Sequence, residues 1–194
     1  MKDIGNWRHI CVDAQRMFIE DTPWNVPWMK RVLPELLEIA RYHAERTIFT
    51  RFVPPVRAED AFGSWRDYYR KWWMMTGEHL PEGLIGLAPS LQKLVPPARV
   101  YDKSTYSPWI DGRLFAHLHQ ERATSLVVTG GETDVCVLTT VLGAIDLGFH
   151  VIVLSDAVCS GADETHDAAI DLLGDRFSVQ LQLFKTEEFL SAIS

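Results

Sequence analysis

The chain is short of cysteine. Its 194 residues include three, Cys11, Cys136 and Cys159, an odd number without CxxC spacing. That excludes a self-contained disulfide framework and the paired-cysteine zinc motifs, and it points to free thiols in a reducing cytoplasm. Basic charge is also scarce. Nineteen Lys and Arg against 26 Asp and Glu leave a formal net charge of −7, the wrong sign for phosphate neutralisation, so no nucleic-acid partner is expected. No apolar run approaches membrane-spanning length, and the start Met1-Lys2-Asp3-Ile4-Gly5-Asn6 lacks a signal-peptide core, so neither a membrane nor export is expected. The seven histidines form no ligand cluster. His117 and His119, two apart on a helix, do not share a face. No G-x-G-x-x-G follows the first strand, and Gly130-Gly131 lacks the lysine of a P-loop. No metal or cofactor is expected, and no repeat or low-complexity segment is present.

What the chain does have is ordinary globular balance, 47% apolar and 23% charged residues, enough for one domain over residues 1–194. Six short, often β-branched runs predict strands: His9 to Val12, Thr47 to Phe52, Ala98 to Tyr101, Ser125 to Thr129, Val151 to Ser155 and Ser178 to Phe184. Helical periodicity fills Pro27 to Ala44, Asp111 to Arg122, Asp134 to Leu147 and Asp163 to Leu173, the last capped by the Ser160-Gly161-Ala162 turn. Alternating strands and helices predict a three-layer α/β/α fold around a six-stranded, mainly parallel, Rossmann-like sheet. Residues 53–97 interrupt this rhythm. They are proline-rich and place Trp65, Tyr68, Tyr69, Trp72 and Trp73 at the spacing of one helix face. Such an insertion either covers the site or makes a subunit contact, and its aromatic face points to a homo-oligomer.

Three polar residues stand at the ends of apolar runs, where open parallel sheets assemble their chemistry. Asp13 follows Ile10-Cys11-Val12, and Lys103 follows Arg99 to Asp102. Cys136 sits where Ser125 to Thr129 gives way to a helical pattern. A helix start supplies unpaired N–H groups that lower a thiol's pKa and hold an oxyanion. Each residue alone also suits a structural role, since a Cys within Val-Cys-Val-Leu is at home in a core.

The surroundings of the three are more specific. Asp13 to Phe18 reads D-x-Q-x-x-F, Lys103 to Trp109 reads K-x-x-Y-S-x-aromatic, and Gly130 to Val137 reads G-x-x-T-D-x-C-V. In that order these motifs resemble the isochorismatase-like cysteine hydrolases, a superfamily including nicotinamidases, N-carbamoylsarcosine amidases and ureidoacrylate amidases. The resemblance covers essentially the whole chain. It implies Cys136 as nucleophile, Asp13 as general base and Lys103 as third member of a triad. It further implies a cis peptide between Gly131 and Glu132, with the N–H groups of Glu132 and Cys136 as the oxyanion hole.

Phe18 and Trp109 stand where the resemblance expects pocket residues, with Tyr106 beside them and Trp24 ranked below. The histidines and aspartate of a nicotinamidase metal site are missing from Phe49 to Pro54. Arg51 stands there instead, able to bind a substrate carboxylate or carbonyl, or to pair with Glu59 or Asp60. Asp134 is expected to cap the following helix or hold Lys103, and His166 to make a structural hydrogen bond. The activity implied is hydrolysis of a C–N bond in a small amide, ureide or carbamoyl compound. The alternatives are isochorismatase-type vinyl-ether hydrolysis and a catalytically silent binding or assembly subunit.

Overall fold

The computed structural model describes residues 4–193; Met1 to Asp3 and Ser194, which belong to the expected domain span and N-terminal reading, lie outside them. Six strands carry the fold: β1 (Trp7–Val12), β2 (Thr47–Phe52), β3 (Arg99–Lys103), β4 (Ser125–Gly131), β5 (His150–Cys159) and β6 (Leu181–Phe184). They form one sheet in the order β3-β2-β1-β4-β5-β6, and every pairing is parallel. The helices are α1 (Arg16–Ile19), α2 (Met29–Tyr42), α3 (Ser64–Lys71), α4 (Pro89–Gln92), α5 (Arg113–Gln120), α6 (Leu138–Asp146), α7 (Asp163–Arg176) and α8 (Thr186–Ile193). No helix among the described residues is long and apolar enough to cross a membrane.

Strand alternation sorts the core into two layers. Cys11, Phe49, Val127, Ile152 and Leu154 face α2 and α8, packing on Met29, Leu36, Ile39 and Phe189. Their neighbours Ile10, Ile48, Leu126, Val128 and Val153 face α5, α6 and α7, packing on Leu114, Leu118, Val141 and Leu173. A third cluster, Met17, Phe52, Tyr69, Met75 and Leu80, lies under the insertion. The aromatic face therefore turns inward, although Phe62 and Trp73 remain exposed.

Several local expectations shift. The strand ending at Ser155 runs on to Cys159 and delivers Ser160 beside the site. The helix expected from Asp134 opens instead with a wide π-type turn, Thr133–Val137, before α6 begins. Ala162, not a side-chain cap, precedes α7. The C-terminal helix α8, which the sequence reading did not single out, starts where Asp156 accepts hydrogen bonds from the N–H and hydroxyl of Thr186 at 2.9 Å.

Candidate active site

The strand order reverses direction between β1 and β4, and a crevice opens beyond their carboxyl ends. Asp13 is the first residue past β1, with φ of 50°, a left-handed conformation that aspartate tolerates better than most residues. Its backbone N–H reaches Thr50 on β2, and the Thr50 hydroxyl donates to Asp13 Oδ1 at 2.7 Å. Gln15 ties the same loop down. Its side-chain amide accepts the Phe52 N–H at 2.6 Å and donates to the carbonyls of Phe52 and Ile85. On the other side Gly130, with φ of 103°, presses against Val12 so closely that a Cβ would stand 2.1 Å from the Val12 oxygen. Only glycine fits there. The Gly131–Glu132 peptide is cis, and the turn that follows carries Cys136.

Lys103, the last residue of β3, closes the arrangement. Its ammonium stands 2.6 Å from Asp13 Oδ2, 3.5 Å from the Cys136 sulfur and 3.1 Å from the Thr105 carbonyl. All three are buried. Burial pulls the Lys103 pKa down, but the Asp13 charge and the sulfur beside it outweigh that, and the ammonium is held above its ordinary value. Burial first, then the Asp13 charge, pushes the Cys136 thiol well up, with Lys103 opposing. The Asp13 charge thus favours a charged lysine beside it and disfavours a charged sulfur. The direction for the thiol runs against the lowering expected from a helix start, with burial as the first cause. The Glu132 carbonyl accepts the N–H groups of Val135 and Val137 but not that of Cys136 between them.

An isochorismatase-domain family model matches residues 9–183. The chain belongs to the isochorismatase family. It is 26% identical over 180 residues to a probable inactive nicotinamidase of Arabidopsis thaliana, covering 84% of this chain and 87% of that protein. A local match, 35% identical over 79 residues, links it to a secreted isochorismatase effector of Phytophthora sojae and spans 39% of this chain and 37% of the effector. Among solved structures it resembles a cysteine hydrolase from Pseudomonas syringae, with TM-score 0.80 and 23% identity, covering 97% of this chain and 92% of that one. It likewise resembles N-carbamoylsarcosine amidase from Thermoplasma acidophilum, with TM-score 0.75 and 16% identity, covering 94% and 97%.

In this isochorismatase-family chain a cavity of about 360 Å³ lies directly over Cys136, a volume suited to a small molecule. Phe18 and Tyr106 line it, and so do Trp24, Phe52, Tyr68 and Trp72. Sequence reasoning ranked Trp24 too low. The ring nearly parallels Phe18 at 6.3 Å and sits among Phe52, Tyr68 and Trp72. Two buried polar atoms here have no hydrogen-bond partner, the indole Nε1 of Trp24 in the wall and the hydroxyl of Tyr69, whose ring packs against Trp24 outside the lining. Trp109 lies elsewhere. Its indole donates to the Thr140 carbonyl at 2.9 Å and fills a slot against Gly143, where a Cβ would stand 2.3 Å from the ring. Arg51 is committed to Asp102 on the neighbouring strand through two hydrogen bonds of 2.7 and 2.8 Å, while Asp60 pairs with Arg57 and Glu59 with Arg70. It does not line the cavity.

Beside the Thr133–Val137 turn, Ser160 donates to Asp134, Gly161 donates its N–H to Glu132 Oε1 at 3.2 Å, and His166 bonds Thr133 at 2.8 Å. Asp134 thus anchors the loop after β5 and does not reach Lys103. Among the described residues no group of three or more His, Cys, Asp and Glu side chains is placed to hold a metal.

Proposed function

We propose that the protein is a cysteine-dependent hydrolase that cleaves the C–N bond of a small amide, ureide or carbamoyl compound through a thioester. The observation that carries this reading is the Lys103 ammonium standing 2.6 Å from Asp13 and 3.5 Å from the Cys136 sulfur beneath a cavity of small-molecule size. A purely structural thiol needs neither neighbour. Asp13 also interacts with the Cys136 thiol through a side-chain hydrogen bond, the path along which the thiol proton passes to it. As the sulfur attacks the carbonyl carbon, that proton passes to Asp13 and the carbonyl electrons move to oxygen. The oxyanion is received by the N–H groups of Glu132 and Cys136, each worth about 3 kcal/mol in such sites. Asp13 then returns the proton to the leaving nitrogen, the C–N bond breaks, and ammonia or an amine departs. A water gives one proton to Asp13 and attacks the thioester. The C–S bond breaks, the acid leaves, and the proton returns to sulfur. Lys103 keeps its proton throughout and holds the negative charge that shifts between carboxylate and sulfur.

Vinyl-ether hydrolysis of the isochorismatase type needs no thiol nucleophile, so the placement of Cys136 weighs against it. A silent binding subunit is favoured only by the inactive label of the Arabidopsis relative. Ammonia release screened across amides, ureides and carbamoyl acids tests the proposal. Replacing Cys136 by Ala is expected to lower turnover of any hit at least about a thousandfold while leaving the circular-dichroism melt in place. Activity that survives the substitution overturns the nucleophile assignment.

A further inference from the structure

We infer that the Glu132 side chain is a charge filter that sets the specificity of this site, and that, on the hydrolase reading above, it confines the substrates to uncharged or cationic amides and excludes those bearing a carboxylate. The juxtaposition behind this is simple. Among the described residues no Lys, Arg or His lines the cavity over Cys136, and Glu132 is the only acidic residue that does. The cations next to the lining residues have partners of their own. The three donors of Lys103 go to Asp13, the Thr105 carbonyl and the Cys136 sulfur. The guanidinium of Arg51 goes to Asp102. Lys71 lies over the Trp72 ring at 5.4 Å and is not among the lining residues.

The sign of the field follows. The Asp13–Lys103 pair cancels itself, and Glu132 leaves the cavity one negative charge in excess. Its carboxylate is held by the Gly161 N–H, and it acts on the hydroxyls of Tyr68 and Tyr106 across the cavity. Burial, then the charges of Asp134 and Asp13, push its own carboxyl pKa up, and an incoming carboxylate meets the same field. The faces of Phe18, Trp24, Tyr68 and Trp72 add negative potential and favour a cation or a flat neutral body. The unpartnered Trp24 Nε1 supplies a neutral donor for an acceptor atom of such a molecule.

The test needs no substrate. Three methanethiosulfonates of similar size, 2-sulfonatoethyl, 2-hydroxyethyl and 2-(trimethylammonio)ethyl, are reacted with the native protein at low ionic strength. Modification of the Cys136 peptide is followed by mass spectrometry and divided by the rate for the urea-unfolded chain. After that correction, the anionic reagent is expected to react roughly tenfold or more slower than the neutral one, and the cationic reagent at least as fast. Glu132→Gln, which keeps an acceptor for Gly161, is expected to bring the anionic and neutral rates together. In the wild type, raising the ionic strength is expected to narrow the same gap. An anionic rate equal to or above the neutral one, the outcome that an uncompensated Lys103 would give, overturns the filter. So does a ratio that neither Glu132→Gln nor salt moves. Turnover separates this from the hydrolase reading: amides hydrolysed with anionic ones preferred would sink the filter alone, while a protein inert to every amide leaves the labelling ratios to be judged on their own.

Discussion

Beneath the cavity, Asp13, Lys103 and Cys136 reach one another from the ends of β1, β3 and β4, regions far apart in the chain but fixed by sheet register. Above it, the wall comes from the segment after β1, from Phe52 and Tyr106, and from the insertion, whose Tyr68 and Trp72 pack ring to ring with Trp24. The floor is polar and buried, and its groups contact one another. The wall is aromatic, half-buried, and includes a donor, Trp24 Nε1, with no protein partner. The difference separates chemistry from selection. A floor whose groups contact one another can be copied across a family with its geometry intact, whereas a wall of rings can be re-cut for another substrate without disturbing the reacting groups.

The largest effect expected on that contrast comes from the floor. Lys103→Met leaves the Asp13 carboxylate, fully buried, without its counter-charge. A loss of about 3–5 kcal/mol in stability is expected on top of lost turnover, read by urea unfolding and ammonia release. A Lys103→Met protein as stable as the wild type would mean the floor is not an ion pair. Next comes the sheet that supports it. His9 bridges Thr47 and Thr129 at 3.1 and 2.8 Å, and burial, then the charge of His43, lowers its pKa to about 3. The unfolded imidazole takes a proton near 6.5 while the folded one does not. Stability from this group is therefore complete above about pH 6.5 and is lost progressively as pH falls toward 3. A few kcal/mol is at stake, and His9→Gln is expected to flatten that part of the stability–pH curve.

The wall should answer differently. Trp24→Ala removes one ring of the cavity but no reacting group, so the expected result is a KM raised about tenfold with kcat changed far less. A collapse of kcat with KM unmoved would make Trp24 part of the floor. The smallest effect belongs to Arg51→Ala. The pair with Asp102 is partly exposed, worth no more than about 1 kcal/mol, and its loss is expected to leave turnover unchanged.

The sequence disclosed the floor far better than the wall, for a physical reason. Strand ends are set by local patterns, and once β1, β3 and β4 are read as parallel strands of one sheet, residues at their carboxyl ends converge by topology. Gln15 showed only as the Q of D-x-Q-x-x-F and Thr50 not at all, because the partners through which they hold the Asp13 loop are distant in sequence. Trp109 misled because its place in a motif says nothing about the slot that Gly143 opens on α6. Arg51 found Asp102 through β2–β3 register, a pairing that no spacing within either strand announces. The aromatic stripe Trp65, Tyr68, Tyr69 and Trp72 was the signal for the wall, but spacing alone fixed only that one face was apolar, and not that it covered Cys136. The wide turn at Thr133–Val137 has the composition of an ordinary helix start.

The most direct measurement is acid quenching of the protein during turnover of an amide it hydrolyses, followed by mass spectrometry of the peptide that contains Cys136. The account predicts an increment equal to the acyl group of that amide on Cys136, removed by hydroxylamine as a thioester is. Sustained turnover with no acyl group ever found on this sulfur, even when hydrolysis of the intermediate is slowed by cold, would contradict it.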